Sequence, residues 1–180
     1  MATEKKTTAK RSVKKKASTA ESTPPEKKQY RVKVELDPHM LVTVRNGFAG
    51  MLYYRSRRTG EEYTWEQFGD EQDMELGELK NARNSARAFF ERNYFLIDDP
   101  EVIEYLNAKP YYQNALSVEE LDGLFDEDPD DIISIIGGLS EGQKKTLRYR
   151  ARELTTNGAI DSIKTIEALE QALNIQLIDR

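Results

Sequence analysis

The chain contains no cysteine and only one histidine among its 180 residues. The lack of cysteine excludes disulfide bonds and thiolate metal centres, and it fits a reducing compartment. A single histidine without cysteine cannot build the usual zinc sites, and no Ser/His/Asp or Cys/His signature surrounds His39. We therefore expect no metal ion, and we interpret His39 as a structural or surface residue at a strand edge.

Long apolar runs and nucleotide-binding loops are also missing. No stretch approaches the roughly 18 consecutive apolar residues of a membrane span, and the basic N-terminus lacks the apolar core of a secretory signal. The sequence matches neither GxxxxGK[ST] nor GxGxxG, the glycine-rich patterns that place backbone amides around phosphates. We therefore predict no bound cofactor and no membrane association.

Charge is divided unevenly along the chain, although the net charge of the whole is -5. Residues 1–29 hold nine basic and three acidic side chains, a net charge of +6. Residues 30–180 hold the other 18 basic and 29 acidic side chains, a net charge of -11. Because residues 1–29 also have very few large apolar side chains, we predict a disordered basic tail joined to an acidic body.

The basic tail, residues 1–29, is the first candidate binding element. A Lys-rich segment neutralises phosphates through counterion release without reading a base sequence. The alternative is a terminus that only improves solubility. The candidate nucleic-acid contacts in the tail are Lys5, Lys6, Lys10, Arg11, Lys14, Lys15 and Lys16.

Alternating apolar and polar residues after the tail predict a small antiparallel β-sheet or barrel. A period of two is typical of half-buried strands. Asn46-Gly47 and Thr59-Gly60 are predicted as hairpin turns. The four predicted strands cover residues 30–36, 40–44, 48–55 and 62–65.

A helical period begins after Gly69. Apolar residues from Met74 to Phe90 recur at spacings of two to four, which predicts one amphipathic helix of about twenty residues. Asp70, Glu71 and Asp73 would lie in its first turn, where the helix dipole favours acids.

Helix start signals predict a bundle of short helices in the C-terminal part. These signals are Asp99-Pro100, the Ser117 capping box, Asp128-Pro129, Ser140 with Gln143, and Asp161. The expected fold class is therefore α+β. Its predicted parts are the disordered basic tail over 1–29, a small β unit plus long helix over 30–98, and a helical bundle over 99–180.

The helix predicted over residues 140–157 is the second candidate binding element. Lys144, Arg148 and Arg152 lie at i, i+4 and i+8, which is one basic stripe. A short turn from the preceding helix resembles a helix-turn-helix, which leads to the alternative function of a DNA-binding regulatory protein. We favour the competing interpretation, in which the stripe pairs with the acidic segment 117–131.

Aromatic residues of the β unit are the third candidate element, a protein-interaction set. Its members are Tyr53, Tyr54, Trp65 and Phe68. Alternation places the two adjacent tyrosines on opposite faces of a strand, so that one of them is exposed. With nearby arginines, a nucleic-acid-binding sheet is an alternative. We favour core packing on one face and protein contacts on the other.

The acidic segment 117–131 also contains a partial calcium-loop pattern. Asp126, Asp128 and Asp130 have the 1-3-5 spacing of an EF-hand. The sixth position would be Asp131 instead of glycine, and the twelfth would be Gly137 instead of glutamate, so we favour a solvated loop with helix caps. A carboxylate-dependent hydrolase stays open as a third class, because 32 acidic residues supply many carboxylate pairs.

Three runs of the chain resemble a phage family. They are VRNGFAGMLYYRSRRTGEEYTW with the sequence that continues to Leu106, then YYQNALS, then LSEGQKKTLRYRARELTTNGAIDS. In their residues and in the order of these runs, residues 40–165 are similar to uncharacterised small structural or assembly proteins of tailed bacteriophages of Gram-positive bacteria. The resemblance implies a role in the virion or its assembly, and it brings no catalytic motif.

These observations together predict a non-enzymatic bacteriophage virion or assembly protein that acts through protein–protein contacts. Its basic tail would contact nucleic acid or an acidic subunit. The expected partners are other phage structural proteins and DNA at the tail, and a homo-oligomer is compatible with the sequence. The expected location is the virion or the host cytoplasm.

Overall fold

The computed structural model describes residues 35–179, and every helix and strand named below lies within that part of the chain. The basic tail and residues 30–34 of the first predicted strand lie outside the described residues. Glu35 and Leu36, at the end of that predicted strand, are not in a strand, and Leu36 packs against the core.

Five strands form two small antiparallel sheets in the described residues. The strands are β1 (Leu41–Asn46), β2 (Leu52–Arg55), β3 (Glu62–Trp65), β4 (Glu71–Glu75) and β5 (Phe95–Leu96). One sheet has the order β4-β1-β5, and the other consists of β2 and β3. Small antiparallel sheets combined with helices confirm the α+β class.

The predicted hairpin at Asn46-Gly47 is wrong, because β1 pairs with β4 and β5 and not with β2. The Asn46 side chain instead holds the following loop in place. Its Nδ2 donates to the carbonyl oxygens of Gly50 and Gln67 at 2.8 Å each, and its Oδ1 accepts from the Phe48 N–H at 2.9 Å. The hairpin between β2 and β3 is confirmed, with Gly60 at a φ of 79°.

The predicted single helix of residues 74–90 is also corrected. Glu71–Glu75 is strand β4, which pairs with β1 from Leu41↔Glu75 to Arg45↔Glu71. Helix α1 (Leu76–Ser85) follows directly, and the four-residue α2 (Ala88–Glu91) is separate. Glu71 and Asp73 therefore lie on an edge strand and not in a helix N-terminal turn, because backbone pairing with β1 outweighs the helical spacing.

Six further helices and one 3₁₀ turn, Leu124–Asp126, follow in the described part of the chain. The Asp99 cap and the reciprocal Ser117 capping box are confirmed, whereas the last helix is capped by Ser162 and not by Asp161. The helices are α3 (Pro100–Tyr105), α4 (Lys109–Tyr112), α5 (Val118–Gly123), α6 (Pro129–Gly138), α7 (Glu141–Thr156) and α8 (Ile163–Leu173).

The apolar side chains of these elements form two clusters. The first cluster joins the strands to α1–α4, and its central side chains are Trp65, Met74, Leu79, Phe90 and Phe95. The second cluster joins α5–α8, and its central side chains are Leu121, Ile132, Ile136, Leu147 and Leu169.

The start of α7 lies against the backbone of the loop before β5. A Cβ atom on Gly142 would be 1.9 Å from the carbonyl oxygen of Arg92, and one on Gly47 would be 2.1 Å from that of Asn93. The Thr146 hydroxyl donates to the Gly47 carbonyl oxygen at 2.8 Å in a buried position. We call these five residues the α7 interface, because they hold α7 directly on the β unit.

Gln143 connects the start of α7 to a second segment of the chain, at Leu116. Its side chain does not complete a capping box with Ser140, although Ser140 does accept from the Gln143 N–H. The fully buried amide instead donates to the Leu116 carbonyl oxygen at 2.7 Å and accepts from the Leu116 N–H at 3.2 Å. Helix α7 therefore contacts both the β unit and the segment that leads into α5.

Candidate interaction surfaces

The basic stripe predicted on α7 is not a free cationic surface. The Lys144 side chain is 20% exposed and lies 3.5 Å from the Glu141 carboxylate. Arg148 donates from Nε to the carbonyl oxygen of Leu173 at 3.0 Å, where it binds the last turn of α8. Of the three predicted residues, only Arg152 is exposed without such a contact.

The acidic segment does pair with α7, but through a different arginine. Arg150 Nη2 lies 2.6 Å from Asp122 Oδ1, and Arg150 Nη1 lies 3.4 Å from Glu153 Oε2. The Arg150 guanidinium also lies 5.4 Å from the centre of the Phe68 ring. The predicted pairing of helix and acidic segment is thus present, with Arg150 in place of the stripe.

The N-terminal half of α7 is buried on one side. In a helix-turn-helix, the N-terminal residues of the second helix contact the base edges. In α7, Gly142, Gln143, Thr146 and Leu147 are buried. The exposed side chains of this half are Glu141 and Lys145, with Lys144 partly exposed.

The exposed face of α7 instead carries an aromatic ring between two cations. Lys145, Tyr149 and Arg152 lie on this face, and Tyr149 is 49% exposed. The Phe48 ring contacts Tyr149 edge-on at 6.2 Å and Tyr94 at 5.2 Å, and the Lys145 ammonium lies 5.2 Å from the centre of the Phe48 ring. We call these five residues the aromatic–cationic surface.

Sequence reasoning missed this surface. The i, i+4 and i+7 spacing of Lys145, Tyr149 and Arg152 was a usable signal for one helix face. The i, i+4, i+8 spacing of the basic stripe competed with it, and the sequence does not say which face is buried. The contribution of Phe48 and Tyr94 has no local signal, because both belong to the β unit.

Most residues of the predicted aromatic interaction set belong to the hydrophobic core. Tyr54 and Trp65 are buried, and Phe68 is partly buried against the second cluster, so these three do not form a surface. Tyr53 is 49% exposed, as alternation predicted for one of the two adjacent tyrosines. Met51, the residue before β2, is also exposed, so Met51 and Tyr53 are accessible in this region.

A buried carboxylate lies beneath the β2–β3 hairpin. Glu78 on α1 is only 2% exposed, and it accepts from the Tyr54 hydroxyl at 2.7 Å and from Asn81 Nδ2 at 3.0 Å, with Arg58 Nε at 3.5 Å. Burial works to raise the pKa of Glu78, but these donors and the Arg58 charge outweigh it and lower the pKa below its usual value. Burial, together with Glu78, raises the pKa of Tyr54, which stays a protonated donor. The network is closed to substrate, and we interpret it as structural.

Arg45 lies among acidic side chains on the outer face of the three-stranded sheet. Its guanidinium is 2.9 Å from Glu71, 2.8 Å from Glu119 and 3.5 Å from Asp98. Slight burial works to lower the pKa of Arg45, but the charges of Glu119, Asp98 and Glu71 outweigh it and raise the pKa. The contact with Glu119 on α5 connects the β unit to the helical part.

The calcium-loop pattern does not form a loop. Asp126 ends a 3₁₀ turn, Asp128 is the N-cap of α6, and Asp130 lies in the first turn of α6. An open groove of about 400 Å³ has Asp122, Asp126 and Arg150 among its lining residues. Nowhere in residues 35–179 do three or more His, Asp or Glu side chains come together as metal ligands.

None of the helices in the described part of the chain has the length and apolar character needed to cross a bilayer. Comparison with known proteins found no matching family model, no matching curated protein and no matching solved structure.

Proposed function

We propose that the protein is a non-enzymatic virion or assembly protein of a tailed bacteriophage. Its folded body binds other phage structural proteins, and its basic tail contacts nucleic acid or an acidic subunit. The observation that carries this proposal is the division of charge, +6 over residues 1–29 and -11 over residues 30–180. Nucleic acid attracts the first part and repels the second, so the two parts suit different partners.

Ion pairing within the body supports this separation. Arg45 and Arg150, two of the less exposed cations, are each already paired with two or more carboxylates. Most acidic side chains of residues 35–179 are exposed, among them those of the outer sheet face and of α5 and α6. The body therefore presents mainly negative charge, which suits a protein partner more than duplex DNA.

The exposed side of β2 offers a surface of suitable composition for protein contacts. Met51 is 67% exposed and directly precedes β2, two residues before the exposed Tyr53. Tyrosine, methionine and arginine are enriched at protein–protein interfaces, and the exposed Arg55 follows on this side. We assign the contact with a structural protein of the particle to this row.

Binding to duplex DNA at several salt concentrations tests the tail. The full chain is compared with a variant in which Lys5, Lys6, Lys10, Arg11, Lys14, Lys15 and Lys16 are changed to Gln. The logarithm of affinity should fall with the logarithm of salt by about 0.9 per contacted phosphate, and the variant should lose most of this dependence. A control with Arg55→Gln and Arg57→Gln keeps the tail and should bind as the full chain does. Equal binding by the tail variant, or no binding by the full chain at low salt, contradicts the nucleic-acid contact and leaves an acidic subunit as the partner of the tail.

Mass spectrometry of purified particles and of assembly intermediates tests the structural role. We expect the chain in one of them, and a Tyr53→Ala change in the phage should lower its copy number there. Absence of the chain from both preparations contradicts the proposal.

A further inference from the structure

The exposed face of α7 combines groups that recognise a nucleic acid without duplex structure. Tyr149 presents an accessible ring, and Lys145 and Arg152 stand on either side of it along the helix. We propose that the aromatic–cationic surface binds single-stranded nucleic acid, with a base stacked on Tyr149 and phosphates paired with Lys145 and Arg152. This rests on the proposed function and deepens it by adding a nucleic-acid contact on the folded body.

The spacing along α7 suits a nucleic-acid strand. Lys145 and Arg152 are seven positions apart, which corresponds to about 10 Å at 1.5 Å per residue. Successive phosphates of one strand in B-form DNA are about 3.4 Å apart along the axis, and a freed strand stretches further, so the two cations reach phosphates about two or three nucleotides apart. Tyr149 lies between them, where the base of an intervening nucleotide can stack on its ring.

The two cations are available for phosphates. In residues 35–179, neither Lys145 nor Arg152 forms an ion pair with a carboxylate. The two acids of this helix are engaged elsewhere, because Glu141 lies 3.5 Å from Lys144 and Glu153 lies 3.4 Å from Arg150. The local surface is therefore cationic, although the body as a whole is acidic.

Phe48 restricts the orientation of the Tyr149 ring before a base binds. It contacts Tyr149 edge-on, with ring centres 6.2 Å apart and an interplanar angle of 83°, and it is itself packed against Tyr94 at 5.2 Å. This contact limits the side-chain freedom of Tyr149 before binding, which reduces the entropy lost when a base stacks on it.

Single-stranded nucleic acid fits this surface better than duplex DNA or an acidic protein. Stacking on Tyr149 requires an unstacked base, which a duplex does not offer. An acidic peptide would use the cations, but it carries no base to stack on the exposed ring.

Affinity for a fluorescent oligo(dT) tests the proposal in the full chain. Tyr149→Ala should lower the affinity about fivefold or more, since stacking of one base on an aromatic ring contributes about 1–3 kcal/mol. Tyr149→Phe should keep the affinity, because the phenyl ring still stacks. Tyr53→Ala is the matched control, because Tyr53 is also 49% exposed but lies on β2, and it should leave the affinity unchanged.

Three results would overturn the proposal. One is an affinity of the folded Tyr149→Ala variant within twofold of the parent. Another is an equal loss for duplex DNA. The third is binding of poly-glutamate that is as tight and is equally weakened by Tyr149→Ala, which would assign the surface to acidic proteins. If Tyr149→Ala fails to fold, Tyr149→Trp replaces it: oligo(dT) should quench the emission of the new indole, and unchanged emission at saturation contradicts stacking.

The same measurements in the tail variant separate the two proposals. With the seven tail residues changed to Gln, oligo(dT) binding should weaken but should still depend on Tyr149. Dependence on Tyr149 in both backgrounds supports this inference even if the tail proves irrelevant, and its absence in both contradicts the inference even if the tail binds DNA.

Discussion

The first cluster contains five buried aromatic side chains, whereas the second contains one, Phe125, and is built largely of leucine and isoleucine. Phe95 alone contacts four rings, with centre-to-centre distances of 4.7 to 5.7 Å. The first cluster also buries Glu78, Asn46 and Asn93, whose polar atoms need partners in defined places. Rings and buried polar groups impose orientation, while aliphatic side chains tolerate changes that keep the volume. We therefore expect the first cluster to be the more sensitive of the two.

Removing the ring at the centre of the first cluster should have the largest effect. Phe95→Ala should lower the free energy of unfolding by about 3–5 kcal/mol, because a large buried ring is lost and four neighbouring rings lose contacts. Denaturation is followed by Trp65 fluorescence, which reports the first cluster, and by far-ultraviolet circular dichroism, which mainly reports the helices. If the α7 interface joins the clusters into one cooperative unit, both signals shift equally. Unequal shifts would mean that the clusters unfold separately.

Disturbing the α7 interface should have the next largest effect and should separate the two signals. Gly142→Ala places a Cβ where the Arg92 carbonyl oxygen lies, so the backbones have to move apart, at a cost of about 1–3 kcal/mol or more. Gly137→Ala is the matched control, since a Cβ there meets no atom within 4 Å. It should stabilise helix α6 by about 0.5–1 kcal/mol. A Gly142→Ala variant as stable as the parent would contradict the close approach.

Two changes that nearly keep side-chain volume test the comparison directly. Tyr54→Phe removes the hydroxyl that donates to Glu78 and should cost about 1–3 kcal/mol, because a buried carboxylate loses a partner. Leu169→Met in the second cluster should cost less than about 1.5 kcal/mol. Chemical denaturation of both variants gives the two values. A larger cost for the methionine variant would reverse the proposed difference between the clusters.

Acid should weaken the first cluster through Glu78. The unfolded carboxyl has an ordinary pKa of about 4.3, and the folded pKa lies below its usual value. The stabilisation from its ionised form is therefore complete above about pH 4.3 and is lost as the pH falls through the folded pKa. Glu78→Gln should be less stable than the parent at pH 7, and the difference should shrink below about pH 4. A difference that does not change with pH would contradict this role.

The smallest effect is expected at Arg45, which connects the two parts of the molecule at the surface. Its partners Glu71 and Glu119 are largely exposed, so water screens the attraction. Arg45→Gln should lower the melting temperature slightly, and added salt should reduce the difference from the parent. A large loss that persists in high salt would show that packing of the Arg45 side chain matters more than its charge.

Local signals in the sequence predicted the starts of α3, α5, α6 and α7 and one hairpin. Asp99 and Ser117 cap their helices as expected, because a cap needs only a side-chain oxygen and the next few backbone amides. Strand β3 has the predicted bounds, since alternation around Tyr63 and Trp65 is regular.

Contacts between residues far apart in the sequence determine the features that local sequence patterns did not predict. Strand β4 has one buried residue, Met74, so its alternation is too weak to compete with the helical spacing that continues into α1. Asn46-Gly47 has the composition of a hairpin turn, yet its glycine serves the close approach to Asn93. The aromatic–cationic surface needs Phe48 beside Tyr149, two residues that only the folded chain brings together.

The peptide segment Arg92–Asn93 is enclosed by two glycines that are far apart in the chain, Gly47 and Gly142. Any larger residue at either position would collide with a carbonyl oxygen, whatever partner the outer surfaces bind. We therefore expect these two positions to tolerate substitution less well than exposed positions do, because the strain would fall on one short peptide segment that both the β unit and α7 contact.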